Sequence, residues 1–303
     1  MFDYSMNYQI QKIRILGSVP QSNPNFPDAR IATLLSDELI STVVPFIMAK
    51  RQEYFVTYTE YEIDATSVPA EFDMPYDAVY MKIRDLTLVI DSGTQRAEIS
   101  LPELSLETVS ATFNNYVNNL FGFCVRDNTI LLYPGAFLNQ QYKLRLYYYR
   151  RPLELALTTQ SGKISAISGN NLTMTYIPVA WQNGSTLNAV SPNPSFKTIG
   201  PCTITSIANP VITVDDASAF SVGDWLALEG YSPIPQIPVE AMPFLQQCCV
   251  LRIHESMGDQ AAMKIAMTKK QELAQILEEA LQPRVDGARQ VCTNRYSLMR
   301  RRW

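Results

Sequence analysis

Two amphipathic helices near the end of the chain constrain the fold more than any other feature of the sequence. The first, predicted over residues 239–256, carries an apolar band too wide for a helix that lies alone on a surface. Gly258 suits the end of that helix, and Asp259 suits the start of a second one, which Pro283 ends. A helical bundle is therefore expected. The residues expected to pack together in it are Leu273, Ile276, Leu277 and Leu281 with Ile31, Leu34 and Leu35.

The first 50 residues predict one more helical region. Residues 1–26 show little periodicity and are rich in Gln, Asn and Pro, so we expect an extended lead-in. Pro27 and Asp28 start a helix whose apolar residues fall at helical spacing. Pro45 interrupts this pattern, which predicts a broken or kinked helix pair rather than one straight rod.

Strand patterns dominate from residue 54 to residue 150. Residues 54–63 have the aromatic and β-branched composition of a strand. Further along, the alternation of apolar residues changes parity at Asp85, which predicts a bulge or two separate strands. Helical spacing over 106–120 predicts a helix that interrupts the sheet. Residues 129–133 and 142–149 are expected to pair as an antiparallel hairpin, since turn-forming Pro, Gly and Asn residues lie between them.

Residues 158–230 have almost no helical pattern and many Ser, Thr, Asn, Gly and Pro residues. A weak repeat at an offset of 40 indicates two copies of one hairpin, although chance similarity between strands would give the same pattern. The matched residues are Ile164, Ile167, Leu172, Thr173 and Met174 with Ile204, Ile207, Ile212, Thr213 and Val214. The predicted fold class is α+β: a helical bundle with a small antiparallel sheet, plus an inserted all-β module. Residues 1–157 and 233–303 would form the core, and residues 158–232 the insertion.

Composition excludes several classes of protein. With 303 residues, 47% hydrophobic and 18% charged, the chain can bury a full core. Lys12 and Arg14 interrupt any signal-peptide core, and no uninterrupted apolar run reaches the roughly 18 residues of a membrane span, so no membrane is expected. The five cysteines form no CxxC motif and are interpreted as reduced core residues.

No sequence motif predicts an enzyme, a cofactor or a metal site. The single histidine, His254, falls inside the apolar helix over 239–256 and is interpreted as a packed or interfacial residue. Neighbouring carboxylates such as Asp37 and Glu38 point in different directions on a helix, as solvated faces do. Only a carboxylate pair brought together by the fold, as in a glycosidase, would escape this reasoning.

Aromatic residues of the predicted β module leave two interpretations open. Tyr176, Trp181, Trp225 and Tyr231 could form a stacking platform for a glycan. They could equally fill the core of a small β-sandwich, because a module of some 75 residues needs large side chains inside.

The charges of the chain are distributed unevenly. Residues 284–303 contain six arginines and one acid, Asp286, a formal charge of +5, whereas the 19 basic and 28 acidic residues elsewhere give −9. An acidic body repels the phosphates of DNA, while arginines pair with carboxylates and stack on aromatic rings. The basic end is either an arm that leaves the domain to meet another surface, or a disordered end kept soluble by its charge.

Short stretches along both flanks of the predicted insertion carry a family resemblance. They include Phe72-Asp-Met-Pro-Tyr-Asp-Ala78 and Leu144-Arg-Leu-Tyr-Tyr-Tyr-Arg-Arg-Pro152, with residues 37–58, 81–85, 126–134, 233–243, 257–259 and 283–303 in the same order. Together they resemble the head-to-tail adaptors of tailed bacteriophages, neck proteins that dock under the portal ring. The resemblance covers roughly two-thirds of the chain, outside the insertion.

The resemblance implies a structural virion protein rather than an enzyme. Family members form a ring of about twelve copies between the portal protein and a downstream tail or nozzle protein, and genomic DNA passes through the lumen without specific binding. The expected location is the virion neck, after assembly in the host cytoplasm. The residues expected to form the portal-binding arm are Arg284, Arg289, Arg295, Arg300, Arg301, Arg302 and Trp303. A receptor- or glycan-binding structural module of a phage is the alternative.

Overall fold

A computed structural model of the chain describes residues 4–63, 70–91, 96–105, 107, 121–134, 143–192 and 198–282. The fold is α+β, as predicted, with helices at both ends of the chain and largely antiparallel sheets between them. The helices are α1 (Met6–Leu16), α2 (Asp28–Glu38), α3 (Val44–Lys50), α4 (Met242–Met257) and α5 (Gln260–Ala280). Apart from residue 107, the predicted helix over 106–120 lies outside the described residues, as does the arginine-rich segment 284–303.

Helix α1 lies where an extended lead-in was expected, so that prediction is wrong. Its buried stripe holds only three large apolar residues, Met6, Ile10 and Ile13, because Gln9 and Arg14 are also buried there. The guanidinium of Arg14 donates to two backbone carbonyls and to a carboxylate of α2. These bonds satisfy the buried charge, and they explain why the sequence pattern of the helix is weak.

Pro45 follows a local change of helix type. A π-helical turn, Leu39–Val43, joins α2 to α3, and the amide of Val44 donates to the carbonyl of Leu39. Proline has no amide proton and its ring crowds the preceding turn, so the widened turn accommodates it. The predicted interruption takes the form of this π-helical turn, within a helical run that continues to residue 50. The whole helical run from residue 28 to 50 is long and apolar enough to span a membrane, but 56% of its most apolar window is buried within the protein.

The C-terminal helix pair ends and restarts where the sequence predicts. Gly258 adopts the left-handed conformation with φ 72°, and the Asp259 side chain accepts a 3.0 Å hydrogen bond from the amide of Ala262. Helix α4 is buried on nearly every side and lies between α2 and α5. The expected bundle core is confirmed for Leu277 and Leu281, which share one hydrophobic cluster with Ile31 and Leu35. The prediction is wrong for Ile276, which is exposed.

Two antiparallel sheets follow the N-terminal helices. One has the order β1-β7-β3-β4 and the other the order β2-β6-β5. Their strands are β1 (Val56–Glu62), β2 (Ala70–Asp73), β3 (Ala78–Asp91), β4 (Arg96–Ser100), β5 (Phe121–Arg126), β6 (Thr129–Pro134) and β7 (Lys143–Arg150). Register shifts on either side of Ile83 confirm the predicted bulge within one continuous strand.

The predicted pairing of β6 with β7 is wrong. Strand β6 pairs with β5 and β2, whereas β7 lies between β1 and β3. The side chain of Arg145 explains this position, because it forms ion pairs with Glu60 on β1 and Glu98 on β4 and stacks on the Tyr58 ring. A guanidinium on the sheet face is stable only where neighbouring strands supply carboxylates.

A closed six-stranded barrel occupies the middle of the chain. Its cyclic order is β10-β13-β12-β11-β14-β9. The strands are β9 (Ser161–Ser168), β10 (Asn171–Met174), β11 (Thr186–Val190), β12 (Thr198–Ala208), β13 (Val211–Val214) and β14 (Trp225–Leu228). Leu172 pairs with Ile167 and Ile212 with Ile207, so both hairpins have one register and the predicted repeat is confirmed. Leu172 also faces Ile212 where the two hairpins meet.

The two ends of the barrel segment lie side by side. Short strands β8 (Glu154–Leu155) and β15 (Tyr231–Ser232) pair in parallel. Residues 232–238, which lead from β15 towards α4, are all buried, and Ile234 and Ile237 belong to the helical core. The barrel has its own hydrophobic cluster, but Trp225 packs on the helical core. Independent folding of residues 158–232 stays a prediction.

Candidate interaction surface

An open groove of about 480 Å³ runs between α1 and α5. Its floor is the N-terminal half of α4, which presents Met242, Pro243, Gln246 and Gln247. Both wall helices pack on α4, and neither fills the space between them. We call this feature the α1/α5 groove.

The α1 wall of the groove repeats every four residues. Tyr8, Lys12 and Leu16 line it, one on each successive turn of the helix, and Tyr4 continues the line two residues before the helix begins. The ammonium of Lys12 lies 5.6 Å from the centre of the Tyr8 ring, a cation–π distance. Next to this wall Ile15 is 72% exposed.

The α5 wall continues into an exposed apolar strip. Lys269 and Leu273 line the groove itself. Ile265 and Ile276 lie 11 residues apart, three helical turns, on the flank of α5 next to that wall, and they are 73% and 59% exposed. We call this pair the isoleucine strip. Most of the surface of both side chains is left uncovered by the part of the chain that the structure describes.

Buried amide side chains hold the floor of the groove in place. Gln246 Nε2 donates to Gln9 Oε1 at 2.7 Å, which ties α4 to α1. Gln247 Nε2 donates to the carbonyl of Ala266 at 3.1 Å, which ties α4 to α5. Both amides are buried, so losing either bond would leave an unpaired polar group. The spacing of the two walls is therefore fixed before any partner binds.

The groove is cationic on an acidic protein. Lys12 and Lys269 face it from opposite walls, and no carboxylate is among its lining residues. Lys269 also forms a 2.7 Å ion pair with Glu272, in which both side chains are more than half exposed. Exposed pairs of this kind contribute little stability. Apolar walls with two lysines match an amphipathic helix that carries carboxylates beside its apolar stripe.

Residues considered for catalysis are buried. His254 lies inside the helical core, and its Nδ1 has no hydrogen-bond partner among the described residues. Four cysteines are described, all buried and unlinked: Cys124, Cys202, Cys248 and Cys249. Burial raises the pKa of Cys249 to about 12 and that of Cys248 to about 11, so both thiols stay protonated at neutral pH. No group of three His, Cys, Asp or Glu residues within the described ranges could hold a metal ion.

The four barrel aromatics do not share one environment. Trp181 is buried in the barrel core, and Trp225 is half-buried against the helical core with the Lys163 ammonium 5.9 Å from its ring centre. Tyr176 and Tyr231 are exposed. The core interpretation therefore holds for Trp181, and a glycan platform would retain at most the two tyrosines.

Comparisons with known proteins do not assign the chain to a family. The chain matches no protein-family model and no curated protein sequence. The arm residues Arg284, Arg289, Arg295, Arg300, Arg301, Arg302 and Trp303 lie outside the described residues. The sequence does not predict the α1/α5 groove, because the weak periodicity of residues 1–26 predicts an extended segment where α1 lies. Its signal was present in the four-residue spacing of Tyr4, Tyr8, Lys12 and Leu16.

Proposed function

We propose that this chain is a structural virion protein, one subunit of an adaptor ring that joins a phage portal to the tail. The observation that carries the proposal is the α1/α5 groove with the isoleucine strip beside it, an apolar helical surface that no other described part of the chain covers. Exposed apolar surface of this kind marks protein interfaces. The resemblance of both flanks of the barrel to head-to-tail adaptors supports the same assignment.

The charge distribution supports the proposed partners. Outside residues 284–303 the chain carries a formal charge of −9, so its field repels the phosphates of DNA that passes through a ring. The arginine-rich arm carries +5 and suits a carboxylate-bearing surface on the portal protein. A downstream tail or nozzle protein would occupy the opposite side of the ring.

A structural role also agrees with the state of the nucleophilic groups. Three thiols, those of Cys202, Cys248 and Cys249, have pKa values raised by burial, and His254 lies within packed helices. None of these groups lines the α1/α5 groove. We therefore propose a binding surface and no catalytic step.

Assembly on the portal tests the proposal. The full-length chain would be mixed with the portal protein of the same virus, and the complexes examined by electron microscopy and mass photometry. We expect one closed ring of this chain on each portal ring. A chain that stays monomeric with the portal present, at every ratio and salt concentration, would show that it is no adaptor.

A further inference from the structure

We infer that the α1/α5 groove of one copy receives the isoleucine strip of the next copy. The inference rests on the proposed ring, in which each subunit must contact its neighbour, and it names the surfaces that meet. Groove and strip use the same helix, because Lys269 and Leu273 form a groove wall while Ile265 and Ile276 lie on the adjoining flank. A rigid helix cannot enter the groove that it walls, so the two surfaces can meet only between copies.

The dimensions of the two surfaces match. The strip spans 11 residues of α5, about 16 Å at the rise of an α-helix. The helical part of the α1 wall, from Tyr8 to Leu16, extends over eight residue steps, about 12 Å by the same measure, and Tyr4 lengthens the wall beyond the start of the helix. Two isoleucine anchors three turns apart therefore lie along a wall of comparable length once Tyr4 is included, the arrangement by which amphipathic helices bind grooves.

The charges of the two surfaces are complementary. On α5, Glu272 and Glu279 follow Ile265 at intervals of seven residues, so they project on nearly the same side of the helix as the strip. Lys269 precedes Ile276 by seven residues and projects there too, which leaves this side of α5 with a net negative charge. The groove presents Lys12 and Lys269. Among the described residues, Glu272 is held only by the exposed pair with Lys269, so it can exchange that partner for a lysine of the next copy at little cost.

Charge also decides against the arginine-rich arm as the occupant. Residues 284–303 carry six arginines, which the two groove lysines repel. The isoleucine strip presents the opposite sign. A contact in which the strip of each copy enters the groove of the next is heterologous, and such contacts close into rings when the rotation permits.

The test measures association of the full-length chain by sedimentation velocity over a concentration series, and ring formation on the portal. The test variant replaces both Ile265 and Ile276 with Ser. The matched control is Met267→Ser, which removes a similarly exposed apolar side chain from another side of α5. We expect the double variant to weaken association at least tenfold, as interface anchors do, while Met267→Ser matches the wild type. Thermal melting of the dilute monomers should be unchanged in both.

A charge exchange between Lys12 and Glu272 provides a second experiment. Lys12→Glu and Glu272→Lys should each weaken association, and the double variant should restore it, because the pair forms across the interface. Equal association of the wild type and the double-isoleucine variant, in solution or on the portal, overturns the inference. The inference is also overturned if the double-isoleucine variant still associates but removal of residues 284–303 abolishes association. No ring on the portal, with self-association that still depends on the isoleucines, rejects the adaptor function and supports the contact.

Discussion

Arg150, the last residue of β7, donates a 2.6 Å hydrogen bond from Nη1 to the hydroxyl of Thr198, the first residue of β12. The same hydroxyl accepts a 2.8 Å bond from Nε2 of Gln236, in the buried segment that leads to α4. One threonine therefore connects the four-stranded sheet, the barrel and the helical core. The barrel is held to the body at this hydroxyl as well as through its chain ends.

Replacing Thr198 with Val tests this connection. The valine keeps the shape and removes the acceptor for both donors, of which Gln236 is 2% exposed. We expect the free energy of unfolding in urea to fall by about 1–3 kcal/mol, the cost of unpaired buried polar groups. The control is Thr205→Val on the same strand, where the hydroxyl is exposed and the change should stay within about 0.5 kcal/mol. Equal effects of the two substitutions would show that the shared hydroxyl adds no stability.

Two neighbouring residues of α5 separate the core from the interaction surface. Leu277 is buried against α4, whereas Ile276 is exposed. Leu277→Ala should cost about 2–5 kcal/mol of unfolding free energy, as leucine truncations in cores do. Ile276→Ala should change the stability of the dilute monomer by less than about 0.5 kcal/mol. The reverse order, measured in urea, would mean that α5 is rotated about its axis relative to this fold.

The two helices near the end of the chain were predictable because their signals are local. Gly258 and Asp259 end one helix and start the next through contacts within a few residues. In the barrel, each copy of the repeated hairpin likewise pairs two strands that are neighbours in the sequence. Both predictions depended on neighbours along the sequence and held in the structure.

Elements that depend on distant partners were predicted poorly. The position of β7 is set by contacts of Arg145 with Glu60 and Glu98, which lie 85 and 47 residues away. Helix α1 buries Gln9 and Arg14, and each has its partners in another element or loop. The groove forms because α1 and α5 both pack on α4. A local sequence pattern does not predict which distant helices pack together.

Alkaline pH should destabilise the fold through its buried thiols. Burial raises the pKa of Cys249 from 9.0 to about 12, so the folded state keeps a proton that the unfolded state releases above pH 9. The contribution of this group is constant below pH 9 and is lost as the pH rises towards 12. We expect the unfolding free energy to fall between pH 9 and 11, with up to about 1.4 kcal/mol per pH unit from this thiol.

The substitution Cys249→Ala isolates that contribution. A cavity lowers the stability of the variant at every pH, but the slope above pH 9 should become shallower because the thiol is gone. Urea unfolding at several pH values measures both quantities. An unchanged slope would mean that other groups, such as the partly buried Tyr54 with its pKa raised to about 12, account for the alkaline loss.

Removal of the barrel should leave the body folded when its closing strands are kept. Strand β15 pairs with β8, and the buried Ser232 hydroxyl donates to the carbonyl of Ile234 at 2.7 Å. We expect deletion of residues 159–229, with Thr158 joined to Gly230 by a short Gly-Ser linker, to give a soluble protein with helical far-UV circular dichroism. Deletion of residues 159–232 removes β15 and should be less stable. Aggregation of the first product with every linker length would show that barrel and body share one core.

The arginine-rich arm should separate function from folding. Residues 294–303 carry four arginines and Trp303 without helical or strand periodicity, so their removal should change the stability of the monomer by less than about 0.5 kcal/mol. If the arm docks on the portal, the same truncation should weaken portal binding about tenfold or more, because arginine and tryptophan dominate many interfaces.

An arm that binds duplex DNA would behave differently: DNA affinity would fall, and the salt dependence would lose about one unit of slope for each phosphate contact removed. Measuring both affinities for the intact and truncated chains, in the same salt series, distinguishes the two. Unchanged portal binding together with lost DNA binding would show that the arm binds nucleic acid and not the portal.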